Sequence, residues 1–304
     1  MSYGDSRYDR RYASGNQIGI GLLIRMIPIL IGVCTVGFTM VRGCQQGPFG
    51  RSQIVGMNPA EEAKLGLQAF QEVLNDARVI RGTPAVSKVR EIADRLIRAT
   101  DNPQFRQLVG TPIPEFQWDL KVVDDKQVNA FCLPGGKIVV YTAIVPVAET
   151  DAGLATVIGH EIAHALAHHG AERMAQQQMV QIGLTSASVS MGDMDYSRRR
   201  QLLSVLNAGA KFGILGYSRK HESEADHMGL LLMAAAGYDP QESVRFWERM
   251  SQATGGGQAP PEFMSTHPNH TTRIRDLTRW IPDAEPLYEN SPTKSVTEVL
   301  PRLR

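Results

Sequence analysis

The sequence predicts an α+β fold, mostly helical, with a short three-stranded antiparallel sheet. Three observations predict it. Apolar residues recur at helical spacing through 58–99 and again through 150–280. Between those regions, alternating runs at 116–123, 128–133 and 137–141 are divided by Asp124-Asp125-Lys126 and by Pro134-Gly135-Gly136. Hydrophobic residues make up 42% of the 304 positions and charged residues 21%, which supports a sizeable core and excludes a wholly disordered chain.

The elements follow in order. Residues 1–17 are polar and read as a disordered tail. Ile18–Val41 is a 24-residue apolar run. As a helix it is about 36 Å long, enough for a hydrocarbon core of roughly 30 Å. Arg25 is its flaw, and it lies near enough to one end to snorkel. A single-pass anchor is the leading reading. A cleaved signal peptide with Met26–Val41 as its apolar part, and a lipid anchor on Cys44, stay open. A buried core helix is disfavoured because the run has no polar face. Arg7, Arg10 and Arg11 precede the span and Arg42 and Arg51 follow it, which favours a cytoplasmic amino terminus and an extracytoplasmic, periplasmic-side remainder.

Residues 43–57 read as a linker. Asn58-Pro59-Ala60-Glu61 starts a helix reaching about Ala77, and Pro84–Ala99 is a second. Pro103, Pro112 and Pro114 mark a loop region before the strands. Thr150 or Asp151 caps a long helix to about Gln178. Asp193–Arg200 is a polar loop, and Leu202–Leu215 is apolar but too short to span a bilayer. Helices follow at Ser218–Ala236, ended by Gly237, at Gln241–Ala253 and at Thr271–Trp280. The tail 282–304 reads as extended. Cys34, Cys44 and Cys132 cannot make a disulfide framework. The charge balance of +1 gives no nucleic-acid footprint.

The long helix carries His160-Glu161-Ile162-Ala163-His164. Histidines at i and i+4 lie about 40° apart and one turn along, so both imidazoles reach one ion. Zinc bound there activates water, and Glu161, about 100° round from His160, is placed to take its proton. Ala167 and Gly170 exclude the extended motif with a third histidine. His168 is a tempting ligand, but three histidines on one straight helix span about 12 Å, so it reads as a rim residue. Glu222 and Asp226 share a helix face. One can bind zinc while the other accepts a hydrogen bond from a ligand histidine. Glu224 points elsewhere.

Asn129-Ala130-Phe131 with Pro134-Gly135-Gly136, the Ile158–His164 segment, Ser218-Arg219 through Glu222 and Asp226, and Ser265-Thr266-His267-Pro268 with Arg273-Ile274 occur in that order. Over about 58–281 the chain resembles the zinc metallopeptidase family of HtpX, the CAAX prenyl proteases and the BepA and Oma-type quality-control proteases. The resemblance implies a zincin-like domain at 58–281 with one zinc ion held by His160, His164 and Glu222, and Glu161 as the acid/base. Asp226 would back a ligand and Arg273 would support the same corner. His267 would stabilise the oxyanion or cap the site. The strand through Asn129 and Ala130 would pair with extended protein or peptide substrates. One apolar span resembles the singly anchored branch, and a carboxy-terminal repeat region of the kind BepA carries is not expected from the tail 282–304. The expected activity is a membrane-anchored zinc endopeptidase in envelope quality control. The rival reading is a chaperone-like, substrate-holding module with structural zinc.

Overall fold

The computed structural model describes residues 15–192, 194–254 and 270–301. The chain divides into two compact units, Met1–Arg42 with Gln176–Ile214, and Gly43–Ala175 with Leu215–Arg304.

In the first unit, α1 (Gly15–Gly43) contains Leu23–Gly43, long and apolar enough to cross a membrane by length and composition. A Cβ on its Gly32 would lie 2.3 Å from Ser186 Oγ, so the Ser186 side chain of α7 (His169–Ser190) fills the space that Gly32 leaves open on α1. The expected polar loop at 193–200 is shorter. The Asp195 carboxylate accepts from the Ser197 and Arg198 amides and starts α8 at Tyr196. That helix runs Tyr196–Ala235 and takes in both the apolar 202–215 run and the helix expected from Ser218.

In the second unit, the expected linker folds as a hairpin of β1 (Cys44–Gln46) and β2 (Ser52–Ile54). Left-handed Phe49 and Gly50 make its turn. Helix α2 (Pro59–Asn75) has the expected capping box, with Asn58 Oδ1 accepting from the Glu61 amide at 2.9 Å. It stops short of Ala77 because β3 (Val79–Ile80) must pair with β4 (Asp119–Val123). Thr83 caps α3 (Pro84–Ala99). The proline-marked loop holds one further helix, α4 (Pro103–Val109), capped by Asn102 and ended by left-handed Gly110.

The sheet differs from the expected one. It has four strands in the order β3-β4-β6-β5, with β5 (Ala130–Leu133) antiparallel and β4 parallel to β6 (Lys137–Tyr141). Burial explains the change. Ile138, Val139 and Val140 are each no more than 1% exposed, so β6 is apolar on both faces and takes a central place. The less buried β5 is left at the edge. Gly135 and Gly136, both at positive φ, close the β5–β6 turn. Phe70 of α2 covers one sheet face through Val123 and Val139. Leu120, Val122, Ile138 and Val140 face the main core of α3 and the later helices.

After α5 (Ile144–Ala148), the long helix expected from Thr150 to Gln178 is two helices. Thr150 caps α6 (Asp151–Leu166), the chain breaks at Ala167-His168, and α7 starts at His169. His168 sits at φ 55°. α9 is Gln241–Thr254, and α10 is His270–Glu289. α10 runs past the expected end at Trp280, through Pro282 and Pro286. Each proline removes one backbone hydrogen bond, but Leu277, Ile281, Ala284 and Leu287 are buried in a continuous stripe that outweighs the loss. The expected extended tail therefore begins after Glu289, and Val299 bridges to Thr150.

Helix α6 crosses α8 through two glycines. A Cβ on Gly229 would lie 2.9 Å from the His160 amide nitrogen, and one on Gly159 would lie 3.2 Å from the Gly229 carbonyl. Gly229→Ala must push the helices apart. It should destabilise the chain by about 1–3 kcal/mol, read by chemical denaturation in detergent micelles. Unchanged stability would refute the tight crossing.

Candidate metal centre and active site

The crossing sets α6 and α8 so that His160, His164 and Glu222 converge, all buried. His160 Nε2 lies 3.0 Å from His164 Nε2, and Glu222 oxygens lie 3.4 Å from each imidazole. Donors about 2.0–2.1 Å from a tetrahedral ion stand about 3.3–3.4 Å apart. Two neutral imidazoles and one carboxylate at these separations fit a zinc ion, and the set is one donor short of a closed structural site.

Asp226 backs this set. His160 Nδ1 lies 3.0 Å from Asp226 Oδ1, so an Nδ1–H donated there leaves the Nε2 lone pair on the cluster side. Arg273 of α10 anchors the same carboxylate, with Nε donating at 2.7 Å to Oδ2 and Nη2 donating to Oδ1. Its Nη1 donates to Glu222 Oε2 at 3.3 Å, and its guanidinium lies 3.8 Å over the Trp247 ring. Burial and the Arg273 charge lower the His160 pKa, but the bonds and charge from Asp226 and Glu222 win and push it up to about 9. The pocket is therefore poised for positive charge. Burial raises Asp226, yet Arg273 and His160 hold it below the usual carboxylate range.

Glu161, one residue on, lines a different wall. It borders a cleft of about 570 Å³ together with His164, Leu65 and Ala69 of α2, and Phe131 and Leu133 of β5. Burial, with the Glu161 charge adding, pushes the neighbouring Cys132 thiol up. Asn129 immediately precedes β5, which Ala130 opens, and Asn129 Oδ1 accepts from the Ala130 amide at 2.9 Å. Among the described residues β5 pairs with β6 alone, so its outer edge faces no strand. His267 lies outside the described residues. His168 turns away from the cluster, with Nδ1 2.7 Å from Glu62 Oε2.

A second layer escaped the sequence reading. His169 is fully buried, and its Nδ1 lies 2.8 Å from His164 Nδ1. Its Nε2 lies 3.1 Å from Glu224 Oε2, and its ring stacks on His221 at 4.3 Å. Arg51, from the hairpin, donates from Nε to Glu224 at 2.8 Å and from Nη1 and Nη2 to Glu172 at 2.9 Å each. Burial, with the charges of His164, His221 and Arg51 adding, holds His169 well below the usual imidazole range. Burial pushes Glu224 up to about 7 against the pull of Arg51. The absent signal was the helix break. On an unbroken helix, residues 164 and 169 lie about 140° apart and cannot meet.

The chain is 38% identical over 187 residues to mitochondrial metalloendopeptidase OMA1 of Saccharomyces cerevisiae, covering 59% of this chain and 52% of that protein. To the Schizosaccharomyces pombe protein of the same name it is 34% identical over 234 residues, 76% of this chain and 64% of that one. To the beta-barrel assembly-enhancing protease of Escherichia coli it is 24% identical over 235 residues, 76% of this chain and 46% of that protein. The chain thus spans about half to just under two thirds of the length of these relatives. The model of peptidase family M48 matches residues 89–281. That span takes in α6, α8 and the part of α10 that carries Arg273, which among the described residues supply the His160–Glu222–Arg273 cluster, and the chain belongs to peptidase family M48.

Proposed function

We propose that the chain is a membrane-anchored zinc metalloendopeptidase whose catalytic domain is residues 58–281. One observation carries the reading: a buried triangle of His160, His164 and Glu222, with Glu161 beside it on the wall of a cleft along a sheet edge that no strand among the described residues pairs with. Zinc held by His160, His164 and Glu222 would supply Lewis acidity, enough to polarise a carbonyl and to make water deprotonable near neutral pH. Glu161 takes the proton of the attacking water and passes it to the leaving amine. Asp226 orients His160, and Arg273 holds Asp226 and Glu222 in place. Main-chain groups of β5 from Ala130 grip an extended substrate as an added strand, which tolerates many sequences. In this reading His267 stabilises the oxyanion or caps the site.

The exposed apolar face of α1 supports a single-pass anchor, and the arginine distribution supports an extracytoplasmic catalytic domain. The names of the relatives, metalloendopeptidases and an assembly-enhancing protease, support protein substrates and a part in envelope quality control. A purely substrate-holding module would leave Glu161 without a task.

Glu161→Gln should lower casein cleavage by roughly 10²–10⁴-fold while one zinc per chain is retained, measured by metal analysis of the same sample. Equal cleavage by the variant would remove Glu161 from its role. Asp226→Ala should weaken zinc binding about 10–100-fold in chelator competition. After an alkaline carbonate wash of membranes the full chain should stay in the pellet, and its appearance in the supernatant would sink the anchor.

A further inference from the structure

The two histidines of the cluster are backed differently. His160 has a carboxylate directly behind it. His164 has another imidazole, His169, with the Glu224 carboxylate behind that. We propose that His169 is a positioning residue that relays the Glu224–Arg51 ion pair onto His164 and fixes the His164 tautomer that can bind the ion. The proposal rests on the zinc reading above.

The tautomers follow one from another. Arg51 Nε donates to Glu224 Oε2 at 2.8 Å, so that oxygen accepts. A carboxylate accepts only, so the His169 Nε2–H donates to it across 3.1 Å. A neutral His169 has one N–H, and its Nδ1 is then a lone pair. That lone pair faces His164 Nδ1 at 2.8 Å, so the His164 Nδ1–H donates to it. His164 is left with its lone pair on Nε2, 3.0 Å from His160 Nε2 and 3.4 Å from Glu222 Oε1. The result matches the other ligand: each histidine is set by a carboxylate that an arginine holds, Asp226 with Arg273 for His160 and Glu224 with Arg51 for His164. Stacking on His221, whose Nε2 lies 3.0 Å from Glu172, fixes the plane of the His169 ring.

The full-length chain in detergent micelles, stripped of metal, is titrated with Zn²⁺ against a chromogenic chelator. His169→Phe should bind about 10–100-fold more weakly, and His169→Gln, whose amide can accept from His164 and donate to Glu224, should recover most of that loss. Imidazole ¹⁵N shifts of the metal-free chain give an independent readout. They should show His164 as the Nδ1–H tautomer in the wild type and in His169→Gln, and as a mixture in His169→Phe. Wild-type affinity in His169→Phe, a loss in His169→Gln as deep as in Phe, or an Nε2–H tautomer in the wild type would each overturn the relay. If His164→Ala binds Zn²⁺ as tightly as the wild type, the zinc reading fails, and the tautomer measured without metal still decides the relay.

Discussion

Backbone contact between α6 and α8 at Gly159 and Gly229 is the constraint on which the site depends. The two helices meet with no side chain between them, one helical step from His160. At that distance the short side chains of Glu222 and Asp226 reach the imidazoles of the facing helix. A wider crossing, of the kind that leucines produce, would leave carboxylates and rings separated by a layer of hydrocarbon. The small residues Ala163 and Ala167 continue the same fully buried face.

So close an approach concentrates ionisable groups where water is scarce, and burying charge is costly unless it is paired. Two arginines meet that cost from opposite sides. Arg273 reaches in from α10 to Asp226 and Glu222, and its flat face rests on Trp247. Arg51 reaches in from the hairpin to Glu172 and Glu224. Guanidinium suits both places, because it stays charged and offers several donors in a fixed plane. A cation bound by His160, His164 and Glu222 would continue the same balance, in a pocket where Asp226 and Glu222 already push the His160 pKa up.

Much of this was legible in the chain. The His-Glu-x-x-His spacing placed His160 and His164 on one face, and the i, i+4 pair Glu222 and Asp226 is one face of α8. Caps at Asn58 and Thr150 and the stop at Gly237 fell where local chemistry demands them. What misled was local signal overridden at long range. Prolines 282 and 286 ended a helix on paper, but the buried stripe from Leu277 to Leu287 carries it through. The turn at 124–126 implied neighbouring antiparallel strands, but β6 was apolar enough to enter between its companions. The glycine-rich 43–57 stretch looked like a spacer, yet it delivers Arg51 to a buried pair of glutamates.

The amino-acid order by itself determined the chemistry on offer: which residues carry imidazole and carboxylate, how far apart they lie along a helix, and where helices begin. Those properties are local, set by a 1.5 Å rise and 3.6 residues per turn. The packed molecule decided the rest. It chose which edge of the sheet lies beside Glu161, broke the helix at His168 so that His169 comes to back His164, and gathered Arg51, Glu224 and Arg273 from distant segments. Such meetings depend on close packing between elements far apart in the chain, and no window of sequence contains both sides of the contact.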